Sequence, residues 1–454
     1  MTSSAFTARV AAYVAAAADT PLPAEVAERT ALHSLDTVAA MVSGVDLEPG
    51  VFGAGVVTST AGAGRSSVVA GGAVDPVNAA LANGFAAHAD ETDDSHPPST
   101  THPGCAIVPA ALALGQHAGI DGAHLLRAIA AGYDVGTRVV MAMRFREFRS
   151  DAAHFSTHAI GGVFGAAVAG AVALRLDEKG VAAALALAAQ SSSGVTTWLR
   201  DPDHVEKAFV FGGMPSSNGV RVALLAGAGL RGVPDVFDTG SNVLSAFSSD
   251  PDPTRLVEGL GERFEVTRTA IKKYAVGSPA QAAVQAMVDL IADGLRPEDV
   301  DEIEIVLPRE LAEVVDGRAL PVINVQYLVA GVLLDGGFGF AMAHDAARMS
   351  HPDVTRLMSR IRLTPDPALL RERVATLRVT RRDGSVLEHT CPGVRGGPAD
   401  PMSVAEVATK ALDLMAALPH REQLIDALLR LDDMGDVVAL HDLLTPSHRE
   451  VPRT

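Results

Sequence analysis

The stretch Asn83–Leu114, NGFAAHADETDDSHPPSTTHPGCAIVPAALAL, sets two small-residue helical patterns on either side of a segment crowded with ionisable groups. His88, Glu91, Asp93, Asp94, His96 and His102 fall between positions 88 and 102 and are interrupted by Pro97, Pro98 and Pro103. A proline lacks a backbone donor and restricts the residue before it, so this segment cannot be one helix and is expected to be a rigid loop. Carboxylates and imidazoles held together on a loop place a group that exchanges protons near neutral pH beside groups that tune it. The competing reading is a solvated acidic turn, since Asp, Ser, Pro and His are ordinary loop residues.

Working outward, the flanks predict a helical protein. Pro23 followed by AEVAE opens a helix toward Gly44, Asp75-Pro76 starts the helix entering the loop, Pro109 suits the first turn of the helix that follows it through Gly115, and Asp121 caps the helix GAHLLRAIAAGYDVGTRVV. Aromatic residues make up only 4% of the 454, while Ala and Gly abound, which suits closely packed helices. Gly53–Gly72 reads as a loop with a short extended piece. Past residue 265 the texture changes to β-branched alternation, predicting strands at Glu265–Arg268, Val300–Val306, Arg360–Thr364, Ala375–Thr380 and Ser385–Thr390, the last two joined by an Asp383-Gly384 turn. Helical patterns return after Met402. The expected fold class is mainly α with an α+β lid: a large, discontinuous all-helical domain at 1–265 and 398–454, with a smaller α+β domain inserted at 266–397.

The formal charge of −17 and the absence of a Lys/Arg run argue against a nucleic-acid partner, but not against an anionic substrate held by a few focused cations. Cys105 and Cys391 are too few for a disulfide scaffold or metal knuckle, which fits a reducing cytoplasm. No secretory signal or membrane-spanning run is evident, so no membrane partner is expected. His154 and His158 share a helical face at zinc-ligand spacing, but no third ligand stands at recognisable spacing. The GAGLRG run at Gly227–Gly232 follows a helical pattern rather than a strand, so it reads as a helix-terminating turn and not a dinucleotide loop. Tyr133 and Asp134 read as packing and interhelix contacts.

Several blocks together resemble the MmgE/PrpD family. They are NG, H, DD, H, HPG and PAALAL in the opening stretch, AGYDVGTRV at 131–139, GVFGAA at 162–167, KAFVFGG at 207–213, the lysine-x-tyrosine of IKKY at 271–274, NVQYLVAG at 324–331 and GGPADPMSVAEVATKAL at 396–412. The resemblance covers nearly the whole chain. It implies a cofactor-independent lyase, usually a homodimer, acting on a small polycarboxylate. The expected reaction is dehydration of a 2-methylcitrate-like 2-hydroxy acid through a carbanion, with decarboxylation of a cis-aconitate-like acid or epimerisation of an iminodisuccinate-like one as alternatives.

Carried over by position, the resemblance implies His102, Asp93, Lys207 and Lys272 as catalytic residues and Asp94, His96, Thr101, His158, Tyr327 and Gln281 as substrate-binding ones, with no metal. The chain departs from the family at Ser156, where a histidine eight residues before Phe164 is usual, so either His158 or His154 supplies the imidazole from a shifted turn or the role is lost. It departs again at Ala275, Val276, Gly277 and Gln281, where Pro-Cys-Cys and a later His are common. Rival readings from other classes are a metal-dependent hydrolase using Asp93, Asp94, His96 and His102 as ligands, and an inactive binding homologue.

Overall fold

The computed structural model describes residues 6–144, 154–369 and 374–445. The chain forms two compact units: Met1–Ala89 with Asp93–Ile271 and Ser403–Thr454, and Asp90–Thr92 with Lys272–Met402.

The first unit is helical. Its described helices include Ala24–Gly44, Pro76–Ala87, Gly104–Ala118, Gly122–Met143, Thr157–Ala173, Glu178–Ser191 and Met214–Gly227. Every residue of Thr157–Ala173 is buried, as expected of a helix that is apolar on all sides, and Phe164 is fully enclosed at its centre. Truncating such a phenylalanine to alanine costs about 3–5 kcal/mol. Asp121 caps the Gly122–Met143 helix by accepting from His124 N. The helix Val404–Leu414 returns after the second unit and packs on Ala24–Gly44, where Lys410 Nζ donates to Asp36 Oδ1 at 2.6 Å inside the core.

Three expectations are corrected here. Gly53–Gly72 is not mainly loop: a helix runs from Glu48 to Thr60, followed by a short strand at Ala63–Ser67. Pro109 lies inside the Gly104–Ala118 helix rather than in its first turn. Glu265–Arg268 is a single 3₁₀ turn instead of a strand, because the buried Glu265 carboxylate is drawn inward to the buried Arg138 and is also paired with Arg268 on the same turn. The Gly227–Gly232 run does end the Met214–Gly227 helix.

The second unit carries a four-stranded sheet in the order Ile361–Asp366, Val300–Pro308, Ala375–Arg381, Val386–Cys391. The first pair is parallel and the others antiparallel. Val300, Ile303, Ile305, Leu307, Ala375, Leu377 and Val379 form its buried side and join a core with residues of the Gln281–Ala292 and Val325–Asp335 helices. The hairpin joining the last two strands turns at Asp383-Gly384, with Gly384 at φ +83°, a left-handed value that glycine adopts without a Cβ penalty. Among the described residues no single helix is long and apolar enough to cross a membrane.

Candidate active site

The loop between Pro76–Ala87 and Gly104–Ala118 is fixed by internal bonds. His96 and Thr101 exchange backbone hydrogen bonds across a turn in which Thr100 takes φ +53°. Ser95 pairs with Ala270. His96 is fully buried, with Nδ1 at 2.7 Å from Ser99 Oγ and Nε2 at 3.2 Å from Glu265 Oε2. Burial lowers the His96 pKa, opposed by the hydrogen bond to Glu265. Burial would raise Glu265, but His96, Arg138 and Arg268 outweigh that and hold its carboxyl at about 2.

Asp94 ties this loop to the helices. Its Oδ2 accepts from His33 Nδ1 at 2.7 Å and Tyr133 OH at 2.6 Å, and its Oδ1 accepts from Gly104 N at 2.9 Å. Only a glycine fits at 104, since a Cβ there would lie 2.6 Å from Thr37 Oγ1, 2.7 Å from Tyr133 OH and 2.9 Å from Asp94 Oδ1. Asp134 is the second interhelix contact, accepting from Tyr13 OH and Glu265 N, and burial raises its pKa to about 6 against the pull of Arg138.

Asp93, next in sequence, turns the other way. One oxygen, Oδ2, lies 2.9 Å from His88 Nδ1 and 3.2 Å from His102 Nδ1. His88 and Asp93 side chains are fully buried, while His102 keeps 14% of its side chain exposed. The hydrogen bond sets His88 with Nδ1 protonated, while Asp93 faces His102 Nδ1 as an ion-pair contact that places negative charge beside a ring able to exchange protons. His158 completes the cluster: its Nδ1 accepts from His102 N at 3.2 Å. Burial first, then His102, His88 and Lys207, lower its pKa well below the usual histidine value, so it is neutral at pH 7.

Phe211 is the platform of the cluster. Its ring stacks on His158 at 3.7 Å and on His88 at 4.5 Å, and meets Trp198 edge-on at 4.7 Å. The turn carrying it, Phe209–Gly213, is a π-helical turn ahead of Met214–Gly227, a wide turn often found at functional sites. Its backbone approaches the Pro76–Ala87 helix so closely that a Cβ on Gly212 would lie 2.0 Å from Gly84 O. That approach brings Phe211 against His88. Lys207, at the start of the same segment and buried, sets its Nζ 5.4 Å from the Phe211 centroid and 5.8 Å from that of Trp198. The ring quadrupoles of these aromatic faces attract the buried cation and help hold it there.

The structure thus gathers three of the four residues expected to be catalytic, His102, Asp93 and Lys207, in the helical unit. Lys272 belongs to the second unit, where it is buried and donates to Glu91 O at 2.6 Å. His158 joins the cluster; His154 is exposed, and Ser156 caps the following helix by accepting from Ala159 N. The remaining expected substrate contacts are turned inward. Asp94 and His96 hold the loop as described, and Thr101 Oγ1 bonds Ser99 Oγ at 2.7 Å. Tyr327 OH donates to Met342 O within the second unit's core, and Gln281 uses its amide to clamp Tyr274 and Val276. Each of these five side chains makes hydrogen bonds within the chain.

Phe211 and Trp198 were not singled out from sequence, and His88 was named in the opening stretch without an assigned role. His88 carried a signal, standing five residues before Asp93 in the same stretch. The ligand set imagined for a metal hydrolase is not assembled, because Asp94 and His96 are engaged elsewhere. A different group is close-set: one atom each of His88, Asp93 and Cys105 lie within 4.8 Å of one another.

Two curated relatives align over most of the chain. Human cis-aconitate decarboxylase is 27% identical over 405 residues, covering 83% of this chain and 81% of its own. The mouse cis-aconitate decarboxylase is 25% identical over 396 residues, covering 81% and 78%. The comparisons support a lyase-type function. The MmgE/PrpD N-terminal domain model matches residues 8–256 and the MmgE/PrpD C-terminal domain model residues 274–433, so the chain belongs to the MmgE/PrpD family.

Proposed function

We propose that the protein is a cofactor-independent lyase that removes carbon dioxide from a small unsaturated polycarboxylate of the cis-aconitate type. The observation that carries this reading is the partly exposed imidazole of the cluster, His102, with the Asp93 carboxylate 3.2 Å from its Nδ1, beside the cation Lys207 and a neutral His158. Loss of carbon dioxide leaves a carbanion conjugated with a carboxylate. Lys207 binds that carboxylate and stabilises the charge developing on it. His102, protonated at Nε2, delivers one proton to carbon, and Asp93 stabilises the imidazolium beforehand. Neutral His158 adds no further positive charge and hydrogen-bonds the backbone that carries His102. Lys272, in the second unit, is assigned a second carboxylate contact on the family resemblance.

One proton in and carbon dioxide out is the balance a single exposed imidazole meets. The activity named for both curated relatives supports the same choice. Dehydration of a 2-methylcitrate-like acid is the second reading; it takes one proton from carbon and gives one to the departing hydroxyl, so it asks for a second proton carrier. His88, on the same carboxylate oxygen, favours it as that carrier. A homodimer remains part of the proposal, checked by sedimentation.

The test is mass spectrometry of products after incubating purified protein with alkylcitrates, cis-aconitate and iminodisuccinate. Loss of carbon dioxide supports the first reading, loss of water the second, and racemisation at constant mass an epimerase. No turnover of any panel member sinks the lyase reading.

A further inference from the structure

We infer that His88, Asp93 and Cys105 form an inhibitory site for a thiophilic divalent cation, Zn²⁺ or Cd²⁺. All three are buried, and the three ligand atoms lie within 4.8 Å of one another. The His88 nitrogen that faces Asp93 is Nδ1, and Nε2, a buried ring nitrogen with no hydrogen-bond partner among the described residues, takes the ring proton when Nδ1 turns ligand. Cys105 Sγ donates to His102 O at 3.2 Å and Phe211 O at 3.5 Å, weak bonds that are lost at small cost. Nitrogen, oxygen and sulfur together suit a borderline or soft cation and not Mg²⁺.

Bond lengths of a tetrahedral zinc site set its ligand atoms about 3.5 Å apart, so the three side chains close by rotation on the ion. On binding, the Cys105 thiol ionises, a metal–sulfur bond forms and one proton leaves to solvent. Asp93 turns its negative charge to the metal. His102 then loses the carboxylate that faces its Nδ1, and turnover stops. The inhibitory part rests on the roles proposed above for His102 and Asp93; metal binding itself does not.

The experiment is titration of the purified full chain with Co²⁺, reading the near-ultraviolet sulfur-to-cobalt charge-transfer absorption and released protons. Expected are a saturable band with about one proton released per metal ion, displacement of the band by Zn²⁺ but not Mg²⁺, its retention in Cys391→Ser and its loss in Cys105→Ser. The last variant keeps a hydroxyl able to donate to the same two carbonyls, and a thermal melt checks that it folds. No band in the unaltered protein, or a band surviving Cys105→Ser, overturns the site. A band without chelator-reversible zinc inhibition of a measured turnover overturns the inhibitory role. Absence of any turnover counts against the proposed lyase and leaves the cobalt result to decide the site.

Discussion

Asp93 Oδ2 lies 3.2 Å from His102 Nδ1 and 2.9 Å from His88 Nδ1, so one carboxylate oxygen serves two imidazoles. Asp93→Asn keeps the shape but removes the charge and lets the amide present either an oxygen or an N–H to His102. Turnover is expected to fall by roughly 10²–10⁴, the range general acid–base groups supply. Steady-state kinetics checks this, and activity within a factor of two of the parent contradicts it.

Asp94 stands beside Asp93 in sequence and does different work. Three donors from three places, His33, Tyr133 and Gly104, converge on it. Asp94→Ala leaves them buried and unmatched and is expected to cost about 3–5 kcal/mol of folding stability. Chemical denaturation measures it; a loss below 1 kcal/mol would show that the bracket is dispensable.

Glu265 gives a pH signature. Its folded-state pKa of about 2 lies below its ordinary value of 4.5, so ionised Glu265 contributes stability above pH 4.5 that is lost as pH falls toward 2. Glu265→Gln is expected to lower the melting temperature at pH 7 and to flatten its decline below pH 4.5. Parallel melting curves for the two proteins across that window would contradict the assignment.

The helical fold, the strands from Val300 onward and the Asp383-Gly384 turn were legible because each rests on local periodicity or turn chemistry. Asp93 and His102 were carried over from the family resemblance, and the fold sets them 3.2 Å apart on one short loop. What the sequence hid was long-range partnership. His96 reads as a substrate contact, and only the fold shows that Glu265, 169 residues on, pairs with its Nε2. Asp94 looks like a ligand until His33 and Tyr133 arrive from other helices. Tyr327 and Gln281 were carried over by motif position, which cannot say whether a polar atom faces a cavity or a backbone carbonyl. His88 was hidden by its proximity to more obvious neighbours, and Phe211 because its π-turn has no sequence period.

The two lysines are expected to fail in the same way for different local reasons. Lys207→Met removes the cation beside Phe211 and Trp198, and Lys272→Met removes the ammonium that donates to Glu91 O. Each is expected to lower kcat/KM by roughly 10²–10³, the loss typical of one electrostatic contact to developing charge. Progress curves at low substrate check this; unchanged kcat/KM in either variant removes that lysine from the mechanism.

The most direct test is turnover by His102→Gln, measured by product mass spectrometry on whichever acid the unaltered enzyme converts, alongside its thermal unfolding. His102 is the partly exposed ring of the cluster, so the expected result is a fall in turnover of at least about 10² with little change in melting temperature. Undiminished turnover by a folded His102→Gln protein would contradict the claim that this imidazole moves the proton.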